Sequence, residues 1–179
     1  MDPILKNLIR VGKVVALDTA KHQARVIFED KPATVSFWLD IIVRNTYKNK
    51  DYALPDIDEE VICLFLPNGN AQGFILGAVY NADDLPPVDD KDKRHVEFED
   101  GSVIEYDRNT HKLTADLNGD IDITTTGSVN ITAAQDVNVT GDISVTGDVI
   151  ADGISLKTHV HGGVTTGGSS TSGPSGGGG

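Results

Sequence analysis

Two histidines separated by one residue are the strongest candidates for chemistry in this sequence. His159 and His161 lie in the hexapeptide THVHGG, just before a tail made almost entirely of Gly, Ser and Thr. On an extended strand, residues i and i+2 face the same side, so the two imidazoles project together. Imidazole nitrogen is a ligand for iron, zinc, nickel and copper. The spacing therefore predicts a metal site, provided that other parts of the molecule bring more ligands to it.

The other reactive side chains form no catalytic pattern. His22, His95 and His111 are expected in a turn, at the end of a linker and in a hairpin, as surface or hairpin residues. All acidic residues after Leu113 are aspartates in predicted turn or outward positions, at 116, 120, 122, 136, 142, 148 and 152. A glycosidase needs two carboxylates in one cleft, for which a narrow repeat has no room. No Ser-His-Asp, nucleotide-loop or zinc-hydrolase motif is present, so we expect no enzymatic activity.

The element that must position the histidines is a repeat at 119–157, in which apolar pairs alternate with mostly polar residues. The pairs are Ile121/Ile123, Val129/Ile131, Val137/Val139, Ile143/Val145 and Val149/Ala151. All aromatic residues occur at or before Tyr106, so no aromatic core is available here. Strands this short are at best marginally stable alone. The pattern predicts a homotrimeric β-helix, in which three intertwined chains bury one apolar column at ~1.5–3 kcal/mol per Val or Ile.

The sequence before the repeat is also predicted to be all β. Five short apolar strands bounded by turn residues indicate a small barrel at 1–80, and Asn68-Gly69 predicts a tight hairpin between the last two. Residues 81–95 carry prolines and many charges and are predicted to be a linker. Asp100-Gly101 marks a second hairpin within 96–118, the neck that leads into the repeat.

Charge and cysteine content restrict the partners. A net charge of −12 and a pI near 4.6 argue against nucleic acid and anionic lipid. Phe37 and Trp38 could stack on bases, but this charge favours barrel core or a subunit interface for both. Cys63 lies in an apolar strand and is expected to be buried. The N-terminus lacks a signal-peptide pattern, and no run approaches about 18 apolar residues, so synthesis in the cytoplasm is expected.

In the predicted trimer, three copies place six imidazoles around one axis. Three symmetry-related pairs approximate an octahedron, which favours a six-coordinate ion over tetrahedral zinc and leaves both iron and nickel open. Residues 158–179 would carry this metal motif where the apolar column stops. The glycine-rich tail after Gly163 either folds back over the tip or is disordered.

Four segments in this order resemble the baseplate assembly protein V family, the central spikes of contractile phage tails of the P2 and Mu type. They are LPDIDEEVICLFLPNGNAQGFILGAVYNADDLPP at 54–87, FEDGSVIEYDRNTHKL at 98–113, the repeats from GDIDIT to VTGD at 119–148, and HVHGGVTTGG at 159–168. One position departs from the family: Asp58 stands where these proteins often have Gly before the EEV strand, which puts the local turn geometry in doubt.

The resemblance implies an OB-type barrel, a trimeric β-helix and an apex in which His159 and His161 of three chains hold one six-coordinate Fe²⁺ ion. The implied function is mechanical: a spike at the tail baseplate of the virion is driven through the target envelope when the sheath contracts. Implied partners are baseplate hub and tail tube proteins, without nucleic acid or a small-molecule substrate. The alternative is a trimeric receptor-binding tail fibre or adhesin-like protein without a piercing role.

Overall fold

The computed structural model describes residues 8–29, 34–67 and 72–160, together with Gly163 and Gly167. The predicted turn at Asn68-Gly69 and the candidate ligand His161 lie outside the described residues. Within those ranges all regular structure is β and no helix occurs, so no helix there has the length and apolar character needed to cross a membrane. The chain divides into two compact units, Met1–Asp122 and Ile123–Gly179.

The first unit begins with a closed barrel. Its strands are β1 (Ile9–Asp18), β2 (Gln23–Phe28), β3 (Thr34–Val35), β4 (Leu39–Ile41), β5 (Glu60–Phe65) and β6 (Gly73–Ala78). The ring runs β1-β2-β4-β6-β5 and returns to β1, while β3 pairs only with β2. Every pair is antiparallel except β4 with β6, which is parallel. This is the strand order of an OB-type barrel, which confirms the predicted fold class for this part of the chain.

Alternating side chains fill the barrel. Along β2 and β5 every second residue is buried, as expected for strands with one face on a core. The buried apolar set is Val14, Ala24, Val26, Phe28, Leu39, Val61, Cys63, Phe65 and Ile75. The Phe28 and Phe65 rings meet edge to face, with centroids 5.7 Å apart. Cys63 is buried as predicted, and desolvation raises the pKa of its thiol to about 11.

The prediction of barrel core for Phe37 and Trp38 is wrong, because their exposed fractions are 64% and 41%. The physical reason is the preceding residue, Ser36, which is buried. Its hydroxyl accepts a hydrogen bond from the Val26 amide (2.9 Å) and donates one to the Phe37 carbonyl (2.7 Å). This local bonding separates β3 from β4 within the predicted strand TVSFWLDIIV, and the next two side chains face solvent. A place in a subunit interface remains a prediction for both.

The turn that contains Asp58 adopts the conformation for which glycine is usual. Asp58 has φ of 70°, in the left-handed region, and its amide donates to the Val14 carbonyl at 2.8 Å. Asp tolerates this region better than most non-glycine residues. The departure from the family pattern is therefore accommodated, and the barrel closes around it.

Three more strands form an antiparallel meander sheet: β7 (Lys93–Glu97), β8 (Val103–Asp107) and β9 (Lys112–Asp116). β7 begins at Lys93, inside the segment predicted as linker. The β7–β8 turn contains Gly101 with φ of 82°, and His111 occupies the β8–β9 turn with φ of 56°. His22 lies in the β1–β2 turn. His95 lies on β7 with only 11% of its side chain exposed, so it belongs to the hairpin but is not a surface residue.

Among its described residues, the second unit contains one small hairpin. Strands β10 (Ile150–Ala151) and β11 (Ile154–Ser155) pair antiparallel. They are joined by Asp152 and Gly153, with φ of 49° and 80°, the pair of left-handed residues typical of a type I′ turn. Residues 123–149 are all described, and none of them forms a strand within a single chain.

Candidate metal site and uncovered apolar surfaces

His159 follows the β10–β11 hairpin and is held by its backbone and its ring. Its amide donates to the Ser155 carbonyl at 3.0 Å. Its ring Nδ1 lies 3.1 Å from the Ser155 carbonyl oxygen and 3.0 Å from that of Leu156. The structure thus places one of the two predicted ligands, while the other, His161, is outside the described residues. Within the described part of the chain, no three His, Cys, Asp or Glu side chains are grouped to hold a metal.

The contacts of His159 determine its tautomer. Carbonyl oxygens only accept hydrogen bonds, so Nδ1 must carry the hydrogen that is shared between Ser155 and Leu156. In the neutral ring the lone pair then lies on Nε2. Histidines that bind metals almost always donate the second ring N–H to a carbonyl or a carboxylate in this way. The His159 side chain therefore fits the role of a ligand that binds through Nε2.

The Asp148 carboxylate, which precedes β10, accepts hydrogen bonds from residues at the end of β11 and just after it. Asp148 Oδ2 accepts from the Ser155 hydroxyl at 2.5 Å, and Oδ1 accepts from the Lys157 amide at 3.0 Å. These hydrogen bonds, that of Ser155 first, lower the pKa of Asp148 below its usual value. The sequence prediction had placed Asp148 among solvated turn residues. Its partners depend on the pairing of β10 with β11, which composition and spacing do not reveal.

The apolar pairs of the repeat are uncovered in a single chain. The nine Val and Ile side chains of these pairs are 43–75% exposed, from Val149 at the lower limit to Ile131 at the upper. Scattered exposed apolar residues are normal on a protein surface, but a repeated series of them marks an interaction site. The repeat therefore presents an apolar surface that another chain can cover.

The meander sheet has one uncovered face as well. The pairing of its strands brings Arg94, Tyr106 and Leu113 into one row and Val96, Ile104 and Ala115 into the next, on the same face. The four large apolar side chains of this face are 43–69% exposed. A second apolar surface thus precedes the repeat in the sequence.

The opposite face of the meander sheet is polar and internally bonded. Glu105 accepts from Lys93 Nζ at 2.9 Å and lies 2.9 Å from His95 Nδ1. The hydrogen bond from Lys93, followed by that from His95, lowers the pKa of Glu105, and the same bond raises the pKa of Lys93. On the polar face, Glu105 therefore has Lys93 and His95 as partners within the chain, whereas the apolar side chains of the other face are exposed.

Together these features define a class of protein: an OB-type barrel followed in the same chain by apolar repeats, which one copy leaves uncovered, and by a histidine motif. Residues 10–80 match a family described as the type VI secretion system/phage-baseplate injector OB domain. Residues 153–175 match the GpV Apex motif, which includes both His159 and His161.

A curated relative supports the same assignment over most of the chain. The chain is similar to the spike protein of Escherichia phage P2, with 29% identity over 128 residues. The alignment covers 72% of this chain and 59% of the length of the relative. The matches to the injector OB domain and to the Apex motif, and the similarity to this relative, all point to phage baseplate spike proteins.

Proposed function

We propose that the protein is the homotrimeric central spike of a contractile phage tail, or of a related injection particle, and pierces the target envelope when the sheath contracts. The role is structural and non-enzymatic, at the tail baseplate of the virion, and follows synthesis in the host cytoplasm. The partners are two further copies of the chain, baseplate hub and tail tube proteins, and the envelope, with no nucleic acid and no small-molecule substrate.

The uncovered apolar pairs are the observation that carries this proposal. Each buried Val or Ile contributes ~1.5–3 kcal/mol, and one chain leaves all nine of those in the repeat exposed. A threefold β-helix over 119–157 covers them without aromatic residues or helices, and it also pairs the strand edges that a single chain leaves open. The apolar face of the meander sheet supports the same association.

The charge distribution supports a mechanical role. No Lys or Arg occurs between Ala115 and Leu156, whereas seven aspartates do. A surface of this kind has no electrostatic attraction to anionic lipid and no amphipathic helix with which to enter a bilayer. The force that drives the repeat through a membrane must therefore come from sheath contraction. The protein itself supplies a stiff and narrow element.

The apex would be stapled by one Fe²⁺ ion per trimer, held by His159 and His161 of the three chains. The ion would supply a coordinative cross-link between three chain segments just beyond the apolar column. The tautomer of His159 supports this assignment, because its lone pair lies on Nε2 while Nδ1 is bonded to backbone carbonyls. Six nitrogen ligands suit an octahedral ion.

Native mass spectrometry of the purified full-length chain tests both parts of the proposal. We expect three chains and one mass increment of iron. The double variant H159A/H161A should keep the trimer and lose the metal, whereas H111A, which changes a histidine in the β8–β9 turn, should retain both. A monomeric wild-type protein would refute the spike assignment, and a metal-free wild-type trimer would refute the staple.

Particles assembled with the double variant separate piercing from receptor binding. A blunted spike should leave adsorption to cells unchanged and reduce the delivery of DNA. Loss of adsorption with normal delivery from the particles that do attach would instead support the receptor-binding fibre.

A further inference from the structure

Asp148 and Ser155 connect the start of the β10–β11 hairpin to the residues that carry the metal ligand. Asp148 uses both carboxylate oxygens across the hairpin, one for the Ser155 hydroxyl and one for the Lys157 amide. It thereby joins the segment before β10 to the segment after β11. The carboxylate fixes the chain on both sides of the type I′ turn.

Ser155 connects Asp148 to Thr158 and His159 through further hydrogen bonds. Its hydroxyl donates to Asp148 and accepts from the Thr158 amide (3.0 Å) and the Thr158 hydroxyl (2.8 Å), which fills all three hydrogen-bonding positions of the oxygen. Its carbonyl accepts from the amide of His159 and from its ring Nδ1. One residue therefore holds both the backbone and the imidazole of His159.

We propose that Asp148 and Ser155 are positioning residues for the metal site: they hold His159 in the Nδ1–H tautomer, with Nε2 oriented to bind the ion. The inference deepens the proposed function and depends on metal binding at the apex. Groups that orient a metal-binding histidine contribute about 10- to 100-fold in metal affinity. Asp148 lies before the residues that match the GpV Apex motif, 153–175, so its role arises from the fold of the hairpin.

The chain provides a matched control six residues earlier. The tripeptide Thr-Gly-Asp occurs at 140–142 and again at 146–148, so Asp142 and Asp148 share the same local sequence. Asp142 accepts none of the hydrogen bonds that Asp148 receives from Ser155 and Lys157. The substitutions D148N and D142N therefore remove the same charge, but only D148N replaces an acceptor oxygen of the network with an NH₂ donor.

The test measures retention of Fe²⁺ by the full-length protein against a chelator of known affinity, under anaerobic conditions, with chain number followed by native mass spectrometry. We expect D148N to remain trimeric and to bind Fe²⁺ about 10- to 100-fold more weakly than wild type. D142N should bind as wild type does. Long-range ¹H–¹⁵N correlation spectra of the metal-free, full-length proteins should show Nδ1–H at His159 in wild type and D142N, and a mixture of tautomers in D148N.

A second pair of variants keeps the inference testable if D148N does not assemble. S155T retains the hydroxyl and should restore the affinity that S155A loses. Equal Fe²⁺ affinity and an unchanged His159 tautomer in wild type, D148N and S155A would overturn the inference and leave the metal staple in place. A trimeric wild-type protein that binds no Fe²⁺ would instead refute the staple itself.

Discussion

The barrel and the repeat contain the same types of apolar residue, but a single chain buries them in the barrel and exposes them in the repeat. Val14, Val26 and Val61 are fully buried within one chain, whereas Val129 and Val137 are 58% and 62% exposed. Residue type therefore does not account for the difference. In the barrel every core strand has two hydrogen-bonded neighbouring strands from the same chain, while residues 123–149 form no strand. The barrel core is complete within one chain, whereas a single chain leaves the apolar side chains of the repeat uncovered, which is what the proposed trimer would correct.

The largest expected effect comes from a charge on the apolar side of the repeat. I131D would place three carboxylates on the axis of a trimer, where each unpaired charge costs several kcal/mol to desolvate. We expect loss of the trimer at micromolar concentrations with the barrel still folded, measured by sedimentation velocity and circular dichroism. N130D, which adds the same charge at the intervening polar position, should remain trimeric. An I131D trimer as stable as wild type would contradict the threefold column.

A large but local effect is expected in the barrel. Phe28 is 1% exposed and packs against Phe65, so F28A should lower the free energy of unfolding by about 3–5 kcal/mol. F37A, at a position that is 64% exposed, should change it by less than about 0.5 kcal/mol. Urea unfolding followed by Trp38 fluorescence gives both values. Comparable losses for the two variants would show that the exposed aromatic residue is covered by another chain.

Two glycine substitutions, one in the barrel and one in the repeat, are expected to have smaller effects and test the same difference in packing. An added Cβ at Gly12 would clash with the Ile27 carbonyl oxygen, whereas one at Gly147 meets no atom of the chain within 4 Å. G12A should therefore cost about 1–3 kcal/mol through overpacking. G147A should stay within about 0.5 kcal/mol of wild type, measured by the same unfolding transition and by the thermal stability of the trimer. A strongly destabilising G147A would show close packing around the repeat.

The smallest expected effect is on the pH dependence of stability, through Glu105 in the meander sheet. The pKa of Glu105 is lower in the folded protein than its ordinary value of 4.5. As the pH falls below 4.5, this carboxylate therefore takes up a proton more readily in the unfolded state than in the folded state. The stabilisation is fully present above pH 4.5 and is lost as the pH falls through the lowered pKa. Melting temperatures between about pH 3 and pH 7 should fall more steeply for wild type than for E105Q. E99Q, in the exposed β7–β8 turn, should follow wild type, and parallel curves for all three proteins would disprove the role of Glu105.

Sequence patterns predicted the barrel well because its strands are marked by residues that are neighbours in the sequence. Alternating apolar residues and turn residues located the strands, and the apolar strand around Cys63 indicated its burial. The sequence left barrel core and a subunit interface open for Phe37 and Trp38, because their exposure within one chain depends on the hydrogen bond between Ser36 and Val26, ten residues away in sequence. The strand pattern around them gives no sign of that contact.

The sequence singles out His159 as a candidate ligand, which stays a prediction, but it does not identify the residues that position this side chain. The H-x-H spacing indicates a metal site only together with ligands from other parts of the molecule. The role of Asp148 requires the register of β10 with β11, which brings Ser155 opposite Ile150. Asp148 acquires its hydrogen-bond partners through that pairing, whereas composition treats all seven aspartates of this region alike.

Burial of Cys63 affects how readily its thiol is oxidised in air. With a pKa of about 11, only about one thiol in ten thousand is ionised at neutral pH, and the ionised form is the one that reacts. A thiol of this kind neither oxidises readily nor exchanges with the cysteines of other chains. In the spike proposed above, the chains would stay free of covalent cross-links in an aerated medium without any reducing system.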